Sequence, residues 1–117
     1  MYFVFVKLID ITYKEDVILA LRSVGVEKAS YIESTNLERT LSDEFRLFTG
    51  FLGRDKNEGQ QGIITALVEE KEQILEFLDN LRQAEIDVDT EEILRVNAWP
   101  VSLVFDSELG LKEFDEP

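Results

Sequence analysis

Apolar residues along the chain recur with two different spacings, and the two spacings alternate. Met1 to Ile9 (MYFVFVKLI) is a run of aromatic and β-branched residues that predicts a strand. Val17, Ile18, Leu21 and Val24 follow at helical spacing, with Ala20 beside them. Thr12 and Glu15 have the form of a capping box before that helix, and Gly25 stands where a helix end wants positive φ. Val26 to Leu37 reads as a turn and a second strand. A shift of sixty residues brings the pattern back without a gap. Val4, Val6 and Leu8 match Ile64, Ala66 and Val68; Val17, Ile18 and Leu21 match Phe77, Leu78 and Leu81; Val24 and Val26 match Ala84 and Ile86. Ile74, Phe77, Leu78, Leu81 and Ala84 form the second helical stripe, and Glu92 to Ala98 supplies a fourth strand.

The order is therefore β-α-β, a long connection, then β-α-β. That is the split βαβ arrangement of a ferredoxin-like plait, an α+β fold with four antiparallel strands and two helices on one face. The sheet's other face is also supplied with apolar residues: Phe3, Phe5, Tyr31, Ile63, Thr65 and Trp99 are its candidates. Such a face requires cover, either from copies of the same chain or from Val101 to Phe114. Pro100 lacks a donor N–H and ends the fourth strand, leaving Val101 to Phe105 as a short extra strand or an extended arm. The reading gives one domain over residues 1–106 and an acidic tail over 107–117.

The connection, Glu38 to Gly62, divides in two. Its first part carries Phe45, Leu47, Phe48, Phe51 and Leu52, too apolar for a solvated coil, and predicts an ordered arm over Thr40 to Leu52. Gly53 to Gly62 is polar and glycine-rich and predicts a mobile tip.

Composition narrows the chemistry. The 117 residues hold 25 acidic and 12 basic side chains, a net charge of −13, which repels nucleic acid and anionic membrane surfaces. No apolar run has the length of a spanning helix, so no membrane insertion is expected. The N-terminal run lacks a basic start and a small-residue cleavage site and reads as a strand, not a signal peptide; the absence of cysteine is compatible with a cytoplasmic location. The sequence contains no histidine and no cysteine. Nucleophile pairs built on those groups are excluded, and the expectation is a non-catalytic protein without cofactor or metal.

Arg39, Arg46, Arg54 and Lys56 gather a third of the basic residues within the connection and are the candidate ligand-binding residues. They could clasp a small anion or pair with Glu38, Asp43, Glu44, Asp55 and Glu58 around them. Asp87, Asp89, Glu91 and Glu92 offer oxygen ligands to a hard cation but lack a calcium loop's spacing and glycine, so a solvated turn is the alternative. Glu69, Glu70 and Glu72 suit a helix start.

Three stretches carry a family resemblance: "LERTLSDEFRLFTGFLG" (37–53), "ITALVEEKEQILEFLDNL" (64–81) and "AWPVSLVFDSELGL" (98–111). In order and spacing they are similar to the PII-like (nitrogen regulatory protein P-II-like) signalling superfamily. The resemblance implies ferredoxin-like subunits, usually trimeric, with a long loop between strands 2 and 3. It implies a regulatory protein that senses a small anionic ligand or nucleotide in a subunit cleft and presents loop 38–62 to a partner protein. The alternative is an interaction module with no small ligand, its arm packed on a neighbouring subunit. Arg39 falls at the family's loop-base arginine. The family's glycine-rich nucleotide turn before the fourth strand has no counterpart, because "IDVDTEEILRV" places carboxylates where phosphate would sit.

Overall fold

The computed structural model describes residues 1–37 and 59–114. Strand β1 (Tyr2–Leu8) leads through a 3-10 turn (Ile11–Tyr13) into helix α1 (Lys14–Ser23) and strand β2 (Ala29–Thr35). After the long connection come β3 (Gln60–Val68), helix α2 (Lys71–Gln83) and β4 (Leu94–Pro100). The four strands form one sheet in the order β2-β3-β1-β4, every neighbouring pair antiparallel. This is the ferredoxin-like plait expected from the alternating pattern. A two-stranded hairpin, β5 (Leu103–Asp106) and β6 (Gly110–Glu113), follows Pro100.

Parity decides what each strand buries. Val4, Val6 and Leu8 of β1 and Ile64, Ala66 and Val68 of β3 point to the helices and are buried. Val17 and Leu21 from α1 and Ile74, Phe77 and Leu81 from α2 meet them, with Phe77 and Leu81 each 1% exposed. Each such side chain contributes ~1.5–3 kcal/mol by leaving water. Polar clamps fix the two helices to one another. Gln73 accepts from the N–H groups of Glu69 and Glu70 and donates to the Val24 carbonyl at 3.0 Å. Asn80 donates to the Ser23 hydroxyl at 3.0 Å.

The sixty-residue repeat reaches the helix ends. At the end of α1 the Val26 N–H returns to the Leu21 carbonyl and Gly25 to Arg22; at the end of α2 Ile86 returns to Leu81 and Glu85 to Arg82. Both are Schellman closures, and in each the residue after the cap lies at positive φ: 88° for Gly25 and 64° for Glu85. Ala84, expected on the buried stripe, is instead the exposed C-cap of α2.

Several boundaries differ from expectation. Asp10, not Thr12, caps the first turn: its carboxylate accepts from the Thr12 N–H at 3.1 Å and from the Thr12 hydroxyl at 2.6 Å. The hydroxyl is spent on the neighbouring carboxylate and does not serve the helix. Gln60, Gln61 and Gly62 belong to β3 and not to a mobile tip, because β2 runs on to Thr35 and pairs with them. Strand β4 is displaced two residues toward the C-terminus and ends at Pro100, opposite Tyr2.

The C-terminal hairpin is tied back to the sheet. Val101 N–H donates to the Met1 carbonyl at 3.0 Å, Val104 is buried, and Lys28 before β2 pairs with Asp106 at 3.3 Å and with Glu108.

Because Glu85 occupies a conformation that suits glycine, Glu85→Gly should raise stability by about 0.5–1 kcal/mol, a Tm rise of ~2–5 °C in thermal unfolding. Gly25→Ala should lower it by about 1 kcal/mol; a Cβ there meets only ordinary contacts, so the cost is that of φ alone.

Candidate functional site

Arg39, Arg46, Arg54 and Lys56, and the arm over 40–52, lie outside the described residues. What the structure places is the frame from which they spring. β2 and β3 stay paired to Thr35 and Gln60, and Asn36 N–H then donates to the Gly59 carbonyl at 2.6 Å. Gly59, at φ 90°, turns the chain into β3. The connection therefore starts and ends at adjacent backbone positions.

Beside that base, Ile11, Tyr31, Glu33, Ser34, Thr35, Gln60 and Gln61 line a cavity of about 130 Å³. Gln61 is 4% exposed, and its Oε1 accepts no hydrogen bond among the described residues. Tyr31 forms the inner wall. It was a candidate for the open sheet face, but its register with Ile64 puts it on the helix side. Its ring lies across Gly62, where a Cβ would collide with the ring edge and the hydroxyl. Lys14 of α1 stands 4.1 Å above the ring centroid. Burial, and then the charge of Glu33, raise the Tyr31 phenol above its ordinary pKa. Tyr31 is also a wall of a larger groove of about 590 Å³ between α1 and β2, with Ile18, Leu21, Val26 and Ala29.

Among the described residues, the second face of the sheet is open. Register assigns to it Phe3, Phe5 and Lys7 of β1, Ile63, Thr65 and Leu67 of β3, Ser30, Ile32 and Ser34 of β2, and Arg95, Asn97 and Trp99 of β4. None of these is a carboxylate, in a chain of net charge −13. Ile32 is 55% exposed and Trp99 48%. Trp99 rests against Phe3 with ring centroids 5.1 Å apart. Lys7 sits between Ile63 and Arg95 in register. Strand β5 stands beside Phe3, Leu67 and Trp99 and bounds with them a cavity of about 470 Å³. The C-terminal hairpin thus borders one end of this face and does not extend over the rest.

The acidic turn uses its carboxylates internally. Asp87 accepts from the Thr90 hydroxyl and from its N–H at 3.1 Å, and these two bonds hold its carboxyl below the usual range. Arg82 forks onto both oxygens of Asp89 at 2.9 Å and reaches Asp79 at 3.0 Å. The fork lowers the Asp89 pKa in turn. Among the described residues no three carboxylates converge as a metal site, and no helix is long and apolar enough to cross a membrane. Sequence reasoning missed the groove beside Tyr31; the pairing of Gly62 with a nearby aromatic was its only signal.

No family model matches the chain, and no curated protein matches it. Among solved structures, the chain is similar to a candidate PII-like signaling protein from Thermus thermophilus. That likeness has a TM-score of 0.49 and 12% identity, and covers 84% of this chain and 82% of the other.

Two measurements check the site as built. Gly62→Ala should displace the Tyr31 ring and cost about 1–3 kcal/mol, and in a Tyr31→Ala background most of that cost should vanish. The depressed carboxyls of Asp87 and Asp89 stabilise the fold above the unfolded carboxylate pKa of ~3.9, and that contribution is lost as pH falls below it. Tm should therefore fall in acid, and Asp89→Asn should flatten part of the fall.

Proposed function

We propose that this chain is a non-catalytic, PII-like regulatory protein that works as a homotrimer. The observation that carries the reading is the open apolar face on a ferredoxin-like sheet, flanked by a long connection between β2 and β3. A face holding Phe3, Phe5, Ile32, Ile63, Leu67 and Trp99 loses free energy in water at roughly 25 cal/mol per Å² of apolar surface, and copies of the chain remove that cost. With no carboxylate on the face, acidic subunits can approach there without direct repulsion; Lys7 remains for a cross-subunit carboxylate, beside Arg95, which reaches Glu92 at 3.8 Å.

In the assembled protein a small anion, such as a nucleotide or bicarbonate, sits in the subunit cleft near Arg39, with Arg46, Arg54 and Lys56 in support. Its binding biases the loop over 38–59 toward the conformation that a partner protein reads. The supporting features are the paired base of the loop and the concentration of cations within it. The turn before β4, with Asp87 and Asp89 committed to Thr90 and Arg82, contributes no phosphate cradle, so the loop must supply the anion's partners.

Light scattering should give three times the chain mass at micromolar concentration, and Phe5→Asp or Ile63→Asp should reduce it to one. A monomer in the unmodified protein would overturn the assembly. Separately, a thermal-shift panel of adenine nucleotides, cyclic dinucleotides and bicarbonate should contain one compound that raises Tm, an effect of about 2.7 kcal/mol at a hundredfold excess over Kd. Arg39→Ala should abolish it; no shift with any of the panel would overturn the sensing role.

A further inference from the structure

The groove between α1 and β2 has the parts of a strand-addition site, and the trimer reading does not use it. β2 is the outer strand of the sheet, paired among the described residues only with β3. Every second residue of its seven turns N–H and C=O away from β3. Natural edges of this length are usually guarded by lysine, proline or a bulge. Here the strand reads ASYIEST, with one charge, no proline and no bulge in its register with β3.

Beside this edge lies an apolar trough. Ile18 and Leu21 of α1, Val26, Ala29 and Tyr31 line its floor, and its volume is about 590 Å³. The two faces are complementary in kind: backbone groups to pair an added strand, and a pocket for side chains on its helix-facing parity.

Charge identifies the occupant. Lys14, Ile18 and Arg22 follow one another at four-residue spacing on α1, Lys14 over the Tyr31 ring and Arg22 at the groove's wall. Neither cation has a carboxylate within ion-pair distance among the described residues, although the chain holds 25 acidic residues. Lys28, Arg82 and Arg95 are each paired; Lys7, Lys71 and Lys112 are also without an ion pair among the described residues, but Lys14 and Arg22 are the ones set along the groove. Among the described residues, Glu27 is the only acidic one lining the groove.

We infer that the α1–β2 groove docks an extended segment of a partner protein. The segment adds as a strand to β2, places alternate apolar side chains over Ile18 and Tyr31, and carries a carboxylate for Arg22 or Lys14. This is a second contact surface, distinct from the loop over 38–59 and independent of any ligand bound there.

The test uses the full chain and a capped heptapeptide in which valine alternates with glutamate and threonine, with a lysine-for-glutamate peptide as control. At millimolar acidic peptide, amide exchange over residues 29–35 should slow at least about tenfold. Arg22→Glu should weaken binding about tenfold or more, with unchanged circular dichroism and Tm. The lysine peptide should bind wild type more weakly and the Arg22→Glu protein more tightly. Absence of protection with either peptide, or equal binding of both, would overturn the inference. So would β2 amides that are protected without peptide and lose that protection on dilution, since a second copy would then hold the edge. Phe5→Asp provides the separation from the trimer: loss of assembly there should leave peptide protection of β2 intact.

Discussion

A four-stranded sheet has two faces, and two helices can cover only one of them. In this chain that limit organises nearly everything else. The even positions of β1 and β3 go under α1 and α2 and make the core with Val17, Leu21, Phe77 and Leu81. The odd positions of the same strands carry Phe3, Phe5, Ile63 and Leu67, so the strands are apolar on both parities. An isolated antiparallel plait would carry polar residues on its outer face. The helices meanwhile are fastened to each other by Gln73 and Asn80, which anchor on the last turn of α1. That makes the covered side a rigid layer, and it leaves adjustment to the open face, the hairpin and the long connection.

The legible part of the sequence was the part written in periodicity. Two strands and one amphipathic helix, repeated at sixty residues, fix the plait because burial on one side leaves no other arrangement for the pattern. The repeat extended to the Leu21 and Leu81 carbonyls, which receive the same returning N–H groups. Only the residue at positive φ differs, glycine in one half and glutamate in the other. Boundaries were less legible because they depend on partners distant in the chain. Gln60 to Gly62 look like loop residues, and they extend β3 only because β2 lies alongside. Thr12 resembles a cap, but the carboxylate two residues earlier captures its hydroxyl.

The side on which Tyr31 lies was hidden for a related reason. A large aromatic on an edge strand suits either face; register with Ile64 sets the choice, and the absent side chain at Gly62 makes room for the ring. Once the ring occupies that space it joins three features. It forms the inner wall of the small cavity at the loop base, bounds the α1–β2 groove, and lies beneath Lys14. The candidate anion residues, Arg39, Arg46, Arg54 and Lys56, were readable as a cluster in the sequence. Their geometry belongs to the connection and is set by no periodic pattern.

Cations are scarce in a chain of charge −13, so their placement carries information about contacts. Arg82 orders the acidic turn, and its fork holds the Asp89 carboxyl below the usual range; Lys28 ties the C-terminal hairpin to the start of β2 through Asp106, whose carboxyl is lowered first by the Leu109 and Glu108 N–H groups and then by Lys28. Those cations maintain the fold. Lys7 stands beside Arg95 on the open face; Arg95 reaches Glu92 at 3.8 Å, and Lys7 has no carboxylate within ion-pair distance among the described residues. Two adjacent like charges are unfavourable alone, and they become favourable when an acidic surface is brought against them. Lys14 and Arg22, about two helical turns apart on α1, are likewise without a carboxylate among the described residues, beside the outer edge of β2. The fold leaves an apolar surface and unspent positive charge together in two separate places, and each pairing calls for a partner that is partly apolar and carries carboxylates. Another copy of this acidic chain meets that description at the sheet face, and a short acidic strand meets it at the groove.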